Sequence, residues 1–393
     1  MKDAVIVSAV RSPVGKGKTG GALVDVHPID LSAAVIEAAV ERAGFEGAEE
    51  EIDDLIWGCA YPEGPQGSNI SRLAVLRAGL PVSVSAATVN RFCSSGLQTT
   101  AMAAQAIMTG MAETVIAGGV EMMSRIPRGG FHSEAHPDME EAYIGMGFTA
   151  ERVAERWDVS REEQDRWANM SQGRAVEAWE EGRFDDEIVP IRVTHEKWNG
   201  AKKEVAETVF DKDELLRPGT NMEVLGKLRP AFKVGGTVTA GNASPFSDGS
   251  AALVVTSGEK AKEMGVEPLA RFITFATAGV EPDVMGIGPV KAVPKALKQA
   301  GMSLDDVDMI ELNEAFGAQV VAVVRDLGLP EEKTNVNGGA IALGHPLGAT
   351  GAKLTAQIVH ALRKKGGGIG LVTMCVGGGM GAAGLLEVYG NGN

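Results

Sequence analysis

Residues 295–301 read Lys-Ala-Leu-Lys-Gln-Ala-Gly and lead into the apolar run Val-Asp-Met-Ile at 307–310. A similar pair lies near the start of the chain, where Ala-Ala-Val-Glu-Arg-Ala-Gly at 38–44 precedes Ile-Asp-Asp-Leu-Ile at 52–56. Each pair predicts an amphipathic helix that ends at glycine, then an acidic turn and a buried strand. The two copies therefore indicate an internal duplication.

The similarity continues through a further helix and strand in each copy. Thr-Val-Asn at 88–90 opens one unit and Asn-Val-Asn at 335–337 opens its counterpart. Each is followed by a glycine- or serine-rich turn, an alanine-rich helix and an apolar strand, which we expect at 114–119 and 369–378. Such alternation favours an α/β fold with mostly parallel sheets covered by helices. The simpler alternative is that any α/β protein repeats helix and strand.

Between the copies lies a segment of different character, at about 120–244. It contains four of the five tryptophans and charged helical stretches such as 149–181, and it has few long apolar runs. We therefore expect an inserted, mainly helical domain that lies over one face of two similar halves. The first half spans 1–119 and is completed by about 245–266, and the second half spans 267–393.

Composition excludes several classes of protein. The 393-residue chain has 37 Lys and Arg against 52 Asp and Glu, and the resulting net charge of −15 argues against nucleic-acid binding. Its three cysteines lack metal-ligand spacing, so we expect no disulfide framework, no metal site and a reduced, cytoplasmic location. The apolar run at 4–10 is short for a signal peptide, and the uncharged stretch at 366–386 contains nine glycines. We expect no membrane insertion.

Cys93 is the first candidate for chemistry. It lies between a predicted strand and an alanine-rich helix. The positive end of a helix dipole and free backbone N–H groups there would lower the pKa of the thiol, and the same groups would hold an oxyanion on an attached acyl group. The alternative is equally common, because free cysteines are usually small buried hydrophobes.

Two further candidates lie on glycine-rich turns. His345 follows Gly344 ahead of a predicted helix, and Cys375 ends the last apolar strand and runs into three glycines. If the halves pack as the duplication suggests, both turns converge with that of Cys93 at the same ends of two sheets, where α/β folds place ligands. Two thiols and an imidazole suit nucleophilic acyl transfer with a second proton transfer. An isolated histidine is otherwise more often a satisfied polar residue.

Two local patterns bear on ligands. Residues 217–233 carry four basic side chains against one acidic side chain, so this segment is a candidate anchor for an anionic ligand, although a solvated basic face is the commoner explanation. Gly-Met-Gly-Ala-Ala-Gly at 379–384 matches the dinucleotide fingerprint by letter. The chain has too few residues after it for a helix and second strand, which disfavours a nicotinamide dehydrogenase.

Four motifs resemble those of the thiolases, in family order and over nearly the whole chain. They are Asn-Arg-Phe-Cys-Ser-Ser-Gly-Leu-Gln at 90–98, Asn-Glu-Ala-Phe at 313–316, Gly-His-Pro at 344–346 and Cys-Val-Gly-Gly-Gly at 375–379. The resemblance implies a five-layered αβαβα fold of two similar halves with a loop domain. It also implies a homodimer or homotetramer that acts on acyl-CoA, 3-ketoacyl-CoA and CoA without a metal or a tightly bound cofactor. Association with a β-oxidation enzyme is a further option.

The resemblance also implies the roles of five residues. Cys93 is acylated and His345 activates it. Cys375 protonates the departing acetyl-CoA enolate in cleavage, or removes the α-proton of acetyl-CoA in condensation. Asn313, through a water, joins His345 in polarising the substrate thioester. The backbone N–H groups of Cys93 and Gly377 form the second oxyanion hole.

The CoA contacts are carried over from the same resemblance. Arg217 is expected to meet the nucleotide end of CoA, while Ser244 and Ala240 line the pantetheine channel. Apolar walls are expected from Phe232, Met146, Met285 and Phe316.

The subtype depends on two departures from one branch of the family. Biosynthetic acetoacetyl-CoA thiolases usually have glycine after the nucleophile and His-Met-Gly in the covering loop. This chain has Ser94 and Gly-Met-Gly at 145–147, with an acidic stretch at 134–141. Both departures favour a degradative 3-ketoacyl-CoA thiolase (acetyl-CoA C-acyltransferase) of fatty-acid β-oxidation.

The alternatives are a biosynthetic acetyl-CoA C-acetyltransferase and, from another class, a non-catalytic acyl or lipid carrier. A ketoacyl synthase is disfavoured because such enzymes have Cys-His-His sites, whereas Cys375 stands at the third position here.

Overall fold

A computed structural model describes residues 2–126, 135–199 and 202–391. Glu134, the first residue of the acidic stretch predicted at 134–141, lies outside the described residues. Within them the strands are β1 (Ala4–Arg11), β2 (Gly15–Lys16), β3 (Asp54–Gly58), β4 (Ser85–Val89), β5 (Thr114–Met122), β6 (Ile191–Asn199), β7 (Lys202–Phe210), β8 (Ser247–Ser257), β9 (Ala270–Gly279), β10 (Met309–Leu312), β11 (Gly367–Val376) and β12 (Met380–Tyr389). The helices are α1 (Pro28–Arg42), α2 (Ile70–Arg77), α3 (Ser95–Met108), α4 (Met146–Arg156), α5 (Arg161–Glu180), α6 (Met222–Gly226), α7 (Gly258–Met264), α8 (Gly288–Ala300), α9 (Gly317–Leu327), α10 (Ala340–Leu343) and α11 (Leu347–Lys364).

The duplicated helix–turn–strand unit is present in both halves. Gly44 follows the end of α1 with φ +74°, and Gly301 follows the end of α8 with φ +68°. Glycine adopts this left-handed conformation without a Cβ clash, which explains why the amphipathic pattern ends there. A 3-10 turn then leads into β3 in the first half and β10 in the second.

Apart from the hairpin of β6 and β7, these strands form one sheet with the order β10-β11-β12-β9-β1-β8-β5-β3-β4, and β2 pairs with β8. The order β3-β5-β8-β1 of the first half is repeated as β10-β11-β12-β9 in the second. The halves join where Val5 and Ile6 of β1 pair with Arg271 and Ala270 of β9. The duplication thus continues from the sequence into the strand order.

The prediction of mostly parallel sheets was wrong. Parallel pairing is confined to β3 with β4 and β5, and to β10 with β11, whereas the pairs in the middle of the sheet are antiparallel. The reason is the direction of one strand in each half. β8 runs antiparallel to its neighbours β5 and β1, and β12 runs antiparallel to its neighbours β11 and β9. For β12 the return is a tight turn through Gly378 and Gly379, which both have positive φ.

The counterpart of β4 also differs from expectation. The Asn-Val-Asn segment at 335–337 forms no strand, and the second half has a single bridge between Ile310 and Thr334 at that place. Asn335, with φ +49°, replaces strand pairing through its side-chain amide, which bonds to both backbone groups of Leu312 at 2.8 Å.

Five layers result, as the resemblance implied. The central layer contains α3 and α11, whose apolar side chains pack with the inner faces of both half-sheets. The outer face of the first half packs against α1 and α2, and that of the second against α8 and α9. The central helices cross closely: a Cβ built at Gly351 would lie 2.1 Å from the backbone nitrogen of Leu97.

The inserted segment combines helices with one hairpin that was not predicted. Asp158, at φ +49°, separates α4 from α5 within the stretch expected to be helical. The hairpin of β6 and β7 is antiparallel, with Ile191 and Val193 buried while Val205 and Val209 are more than half exposed. Burial of alternate residues on one face is the pattern that predicts a strand. In the sequence this pattern is hard to recognise, because charged residues surround the few apolar ones.

Across the residues that the structure describes, each helix is too short or too polar to span a bilayer.

Candidate active site

Cys93 lies in a 3-10 turn between β4 and α3. The turn is strained at Phe92, which has φ +42°, and it is fixed by Asn90, whose side chain accepts from Phe92 N at 2.8 Å and donates to Ala60 O at 3.0 Å. A positive φ at a bulky residue persists only where neighbouring contacts impose it. Cys93 is 6% exposed, so the turn holds this residue almost entirely away from solvent.

Burial dominates the electrostatics of this thiol. It raises the pKa of Cys93 to about 11, and the buried carboxylate of Glu121 adds to the rise. The backbone N–H groups of Gly377 and of Cys93 itself act in the opposite direction without overcoming burial. The expectation of a lowered pKa was therefore wrong, because the helix-terminus effect is smaller than the loss of solvent.

His345 occupies the equivalent place in the second half. It lies two residues before α11, as Cys93 lies two residues before α3. Its backbone N–H donates to Ser247 Oγ at 2.9 Å, and Gly344, at φ +85°, allows the backbone to turn into the site.

The tautomer of His345 follows from its partners. Thr350 Oγ1 lies 2.6 Å from Nδ1 and donates its own proton to Pro346 O, so Nδ1 carries the hydrogen and Nε2 is free to accept a proton. Burial, reinforced by the charge of Lys353, lowers the pKa of His345 to about 3. The resting imidazole is therefore neutral.

Asn313 completes the polar side of the site. It follows β10, is fully buried, and its Nδ2 lies 3.3 Å from His345 Nε2. Its Oδ1 has no hydrogen-bond partner among the described residues. Two separate segments of the chain thus bring the amide of Asn313 and the imidazole of His345 into contact.

Cys375 and Gly377 form the opposite wall, at the end of β11. Cys375 is fully buried in an apolar cluster that includes Met285 and Phe316, with Met146 packed against it. Burial raises the pKa of the Cys375 thiol, and the neighbouring Cys93 raises it further. The two sulfurs and the Gly377 N–H therefore share one pocket.

Some of the residues predicted to contact CoA pack in or against the cluster that contains Cys375. Ser244 Oγ donates to Ala315 O at 3.0 Å, and Phe232 packs edge-on against Phe316 with ring centroids 6.1 Å apart. Arg217 Nη1 reaches Ala240 O at 3.4 Å. Ser244 and Phe232 thus contact members of the cluster that contains Cys375, whereas the exposed Arg217 contacts Ala240.

The basic segment at 217–233 is partly neutralised within the chain. Lys227 pairs with Glu223 and Lys233 pairs with Glu155. Among the described residues, Arg217 and Arg229 make no ion pair and are exposed. The positive charge available to an anionic ligand is therefore concentrated at two arginines.

Sequence reasoning missed the residues that hold this site in place. Thr350 orients His345, and Glu121 accepts hydrogen bonds from Ala60 N and Gly348 N and so connects the first half to the start of α11. In the sequence, Glu121 is marked only as a carboxylate that follows an apolar run, and Thr350 only as a hydroxyl in a glycine-rich segment. No group of three or more His, Cys, Asp or Glu side chains with metal-binding geometry occurs in the part of the chain that the structure describes.

Comparison with known proteins identifies the family to which this chain belongs. The model of the thiolase N-terminal domain matches residues 4–259, and that of the thiolase C-terminal domain matches residues 266–388. The chain is 52% identical to the 3-ketoacyl-CoA thiolase of Bacillus subtilis (strain 168) over 393 residues, covering 99% of this chain and 100% of that protein. It is 44% identical to the acetyl-CoA acetyltransferase of Escherichia coli (strain K12) over 404 residues, covering 98% and 99% of the two chains.

The fold agrees with a solved relative. The crystal structure of the Bacillus anthracis acetyl-CoA acetyltransferase superposes with a TM-score of 0.88 at 43% identity and covers 99% of both chains. Family models that together span nearly all of the sequence, a full-length relative at 52% identity and the shared fold lead to one conclusion: the chain is an acyltransferase that belongs to the thiolase family.

Proposed function

We propose that the protein is a 3-ketoacyl-CoA thiolase that cleaves 3-ketoacyl-CoA with CoA through an acyl-Cys93 intermediate. The observation that carries the proposal is one pocket in which the Cys93 thiol faces the N–H groups of Cys93 and Gly377 and lies beside the second thiol of Cys375. The His345–Asn313 pair supplies an unprotonated imidazole nitrogen, Nε2, in the same site. These groups match the two half-reactions of a thiolase.

In the first half-reaction His345 Nε2 takes the proton of the Cys93 thiol, and the sulfur attacks the C3 carbonyl carbon of the substrate. The C2–C3 bond breaks, the acyl group remains on Cys93 as a thioester, and the electron pair passes to the departing acetyl-CoA as an enolate. His345 and an Asn313-held water stabilise the enolate oxygen. The Cys375 thiol gives its proton to C2, and acetyl-CoA leaves.

In the second half-reaction the Cys375 thiolate takes the proton of the incoming CoA thiol. The CoA sulfur attacks the thioester carbonyl of acyl-Cys93, and the N–H groups of Cys93 and Gly377 hold the oxyanion. Cys93 leaves as a thiolate and recovers its proton from His345. Because acetyl-CoA leaves before CoA reacts, we expect ping-pong kinetics.

The proposal also specifies the direction of the reaction, which is the degradative cleavage of 3-ketoacyl-CoA. It is supported by Ser94 next to the nucleophile, by Met146 between two glycines near the pocket, and by the name of the 52% identical relative. A biosynthetic acetyl-CoA acetyltransferase is the second candidate, because the relatives at 43–44% identity include several proteins of that name. The CoA ligand, a homo-oligomeric state and a cytoplasmic location are part of the proposal in either case.

The deciding experiment measures thiolysis against acyl length, from acetoacetyl-CoA to long-chain 3-ketoacyl-CoA. We expect turnover to persist or rise as the chain lengthens, whereas activity confined to acetoacetyl-CoA would favour the biosynthetic alternative. The Cys93→Ala variant is the control and should lose turnover with every substrate. Wild-type protein that cleaves none of the substrates would contradict the proposal and favour a non-catalytic carrier.

A further inference from the structure

Glu314 carries a carboxylate that the reaction steps above do not use. Its side chain is 0% exposed, and among the described residues no Lys, Arg or His nitrogen lies within ion-pair distance of it. A buried charge without a cationic partner is expensive unless hydrogen bonds satisfy it. The buried Glu314 carboxylate therefore depends on the hydrogen bonds that it accepts.

Four donors from three segments satisfy this carboxylate. Oε1 accepts from Trp167 Nε1 and Asn335 Nδ2, both at 2.9 Å. Oε2 accepts from Ser171 Oγ at 2.7 Å and from Ile341 N at 3.1 Å. Trp167 and Ser171 belong to α5 of the insert, Asn335 braces β10, and Ile341 lies in α10, four residues before His345.

The approach of these segments is close enough to require glycine. A Cβ built at Gly339 would lie 2.2 Å from the carboxyl carbon of Glu314, and the Gly339 N–H donates to Ser171 Oγ at 3.0 Å. The turn that leads to His345 is thus held directly against the residue next to Asn313. Glu314 is adjacent to Asn313 in the chain and contacts the turn that leads to His345. A shift of the Glu314 carboxylate would therefore move both partners of the 3.3 Å contact between Asn313 and His345.

We propose that Glu314 is a positioning residue that sets the spacing of Asn313 and His345 and ties that spacing to α5 of the insert. The inference rests on the proposed function, in which this pair holds the substrate oxygen and His345 activates Cys93. Groups that must align within an ångström lose about tenfold to 100-fold in rate when a support shifts. Glu314 itself touches no reacting atom.

The Glu314→Gln variant tests this role with little change in shape. All four contacts to Glu314 are donors, so an amide NH2 in place of either oxygen faces two donors instead of accepting from them. We expect kcat for thiolysis to fall about tenfold to 100-fold, while KM for CoA stays within about twofold, because the CoA-binding surface around Arg217 is untouched. The rate at which iodoacetamide alkylates Cys93 should fall as well.

Asp213→Asn is the matched control. Asp213 is a buried carboxylate of the insert that also accepts four hydrogen bonds, two from Arg11 and one each from Val14 N and Trp179 Nε1, and it contacts neither Asn313 nor His345. This variant should lower the melting temperature and leave kcat of the folded enzyme unchanged. If Glu314→Gln behaves in the same way, with kcat and alkylation at wild-type levels, the positioning role is refuted.

Two further measurements keep the test decisive. If Glu314→Gln does not accumulate as folded protein, Trp167→Phe removes one donor and should lower kcat by about two- to tenfold with KM unchanged; an unchanged kcat would then overturn the proposal. The alkylation of Cys93 needs no substrate. A wild-type protein without thiolysis would therefore refute the proposed function, whereas equal alkylation rates in wild type and Glu314→Gln would refute the positioning role alone.

Discussion

At the scale of single residues, the resting site holds a thiol and a neutral imidazole rather than an ion pair. Burial raises the pKa of Cys93 to about 11 and lowers the pKa of His345 to about 3. Both shifts disfavour the charged form of the side chain. In the proposed reaction we therefore expect the Cys93 thiolate to form only as its proton moves to His345 Nε2, with substrate bound.

This state predicts the pH dependence of alkylation. Below a raised pKa the thiolate fraction grows about tenfold for each pH unit, so the rate of Cys93 alkylation by iodoacetamide should rise about 100-fold from pH 7 to pH 9. The rate is measured by mass spectrometry of the modified protein, with Cys93→Ala as the background for Cys59 and Cys375. A plateau below pH 8 would contradict the raised pKa.

Thr350 provides a second prediction at this scale. Thr350→Val keeps the shape and removes the oxygen that accepts from His345 Nδ1, so a buried N–H loses its partner and the tautomer is no longer fixed. We expect kcat to fall about tenfold to 100-fold, measured by thiolysis at saturating substrate. Thr355→Val is the control. Its hydroxyl lies on the same helix, is equally buried and, among the described residues, bonds only to Gly351 O, so kcat should not change.

At the scale of elements, the crossing of α3 and α11 fixes the distance between the turns that carry Cys93 and His345. Gly351→Ala would place a Cβ 2.1 Å from Leu97 N, where two backbones meet and neither can yield. We expect a loss of about 3 kcal/mol in the free energy of unfolding, measured by urea denaturation. The separation of the two helices should also reduce turnover.

A second helical glycine provides the contrast. Gly173 lies exposed in α5, and a Cβ there would meet nothing within 4 Å. Gly173→Ala should therefore stabilise the protein by about 0.5–1 kcal/mol through helix propensity. If both alanine variants shift the urea midpoint in the same direction, the packing argument at the crossing fails.

The elements also show how far the sequence alone could lead. Glycine-ended helices and apolar strands repeat with local signals, so the duplication and the positions of Cys93, His345 and Cys375 were predictable. The antiparallel middle of the sheet was not, because pairing depends on how β8 and β12 return across the fold. The direction of the Cys93 pKa shift and the hold of Thr350 on His345 likewise arise from burial and contacts that exist only after folding.

At the scale of the whole molecule, the buried imidazole couples stability to pH. In the unfolded chain His345 binds a proton below about pH 6.5, whereas in the folded protein it stays neutral down to about pH 3. Protons therefore favour the unfolded state as the pH falls through this window. His345 alone should cost about 2 kcal/mol of unfolding free energy between pH 8 and pH 5.

Urea denaturation at several pH values measures this effect. The His345→Asn variant removes the titrating group, so its stability should decline less between pH 8 and pH 5 than that of the wild type, by the same amount of about 2 kcal/mol. Parallel curves for the two proteins would show that the imidazole is protonated equally in the folded and unfolded states.

The matching positions of Cys93 and His345 have a consequence for ancestry. Each stands two residues before a central helix, one in each half of the duplicated chain. A symmetric pair of identical half-length chains would place the same residue at both helix starts, giving two thiols or two imidazoles but never one of each. The proposed division of labour between a Cys93 nucleophile and a His345 base therefore requires two halves that mutate separately, and joining them in one gene guarantees that every molecule contains one copy of each.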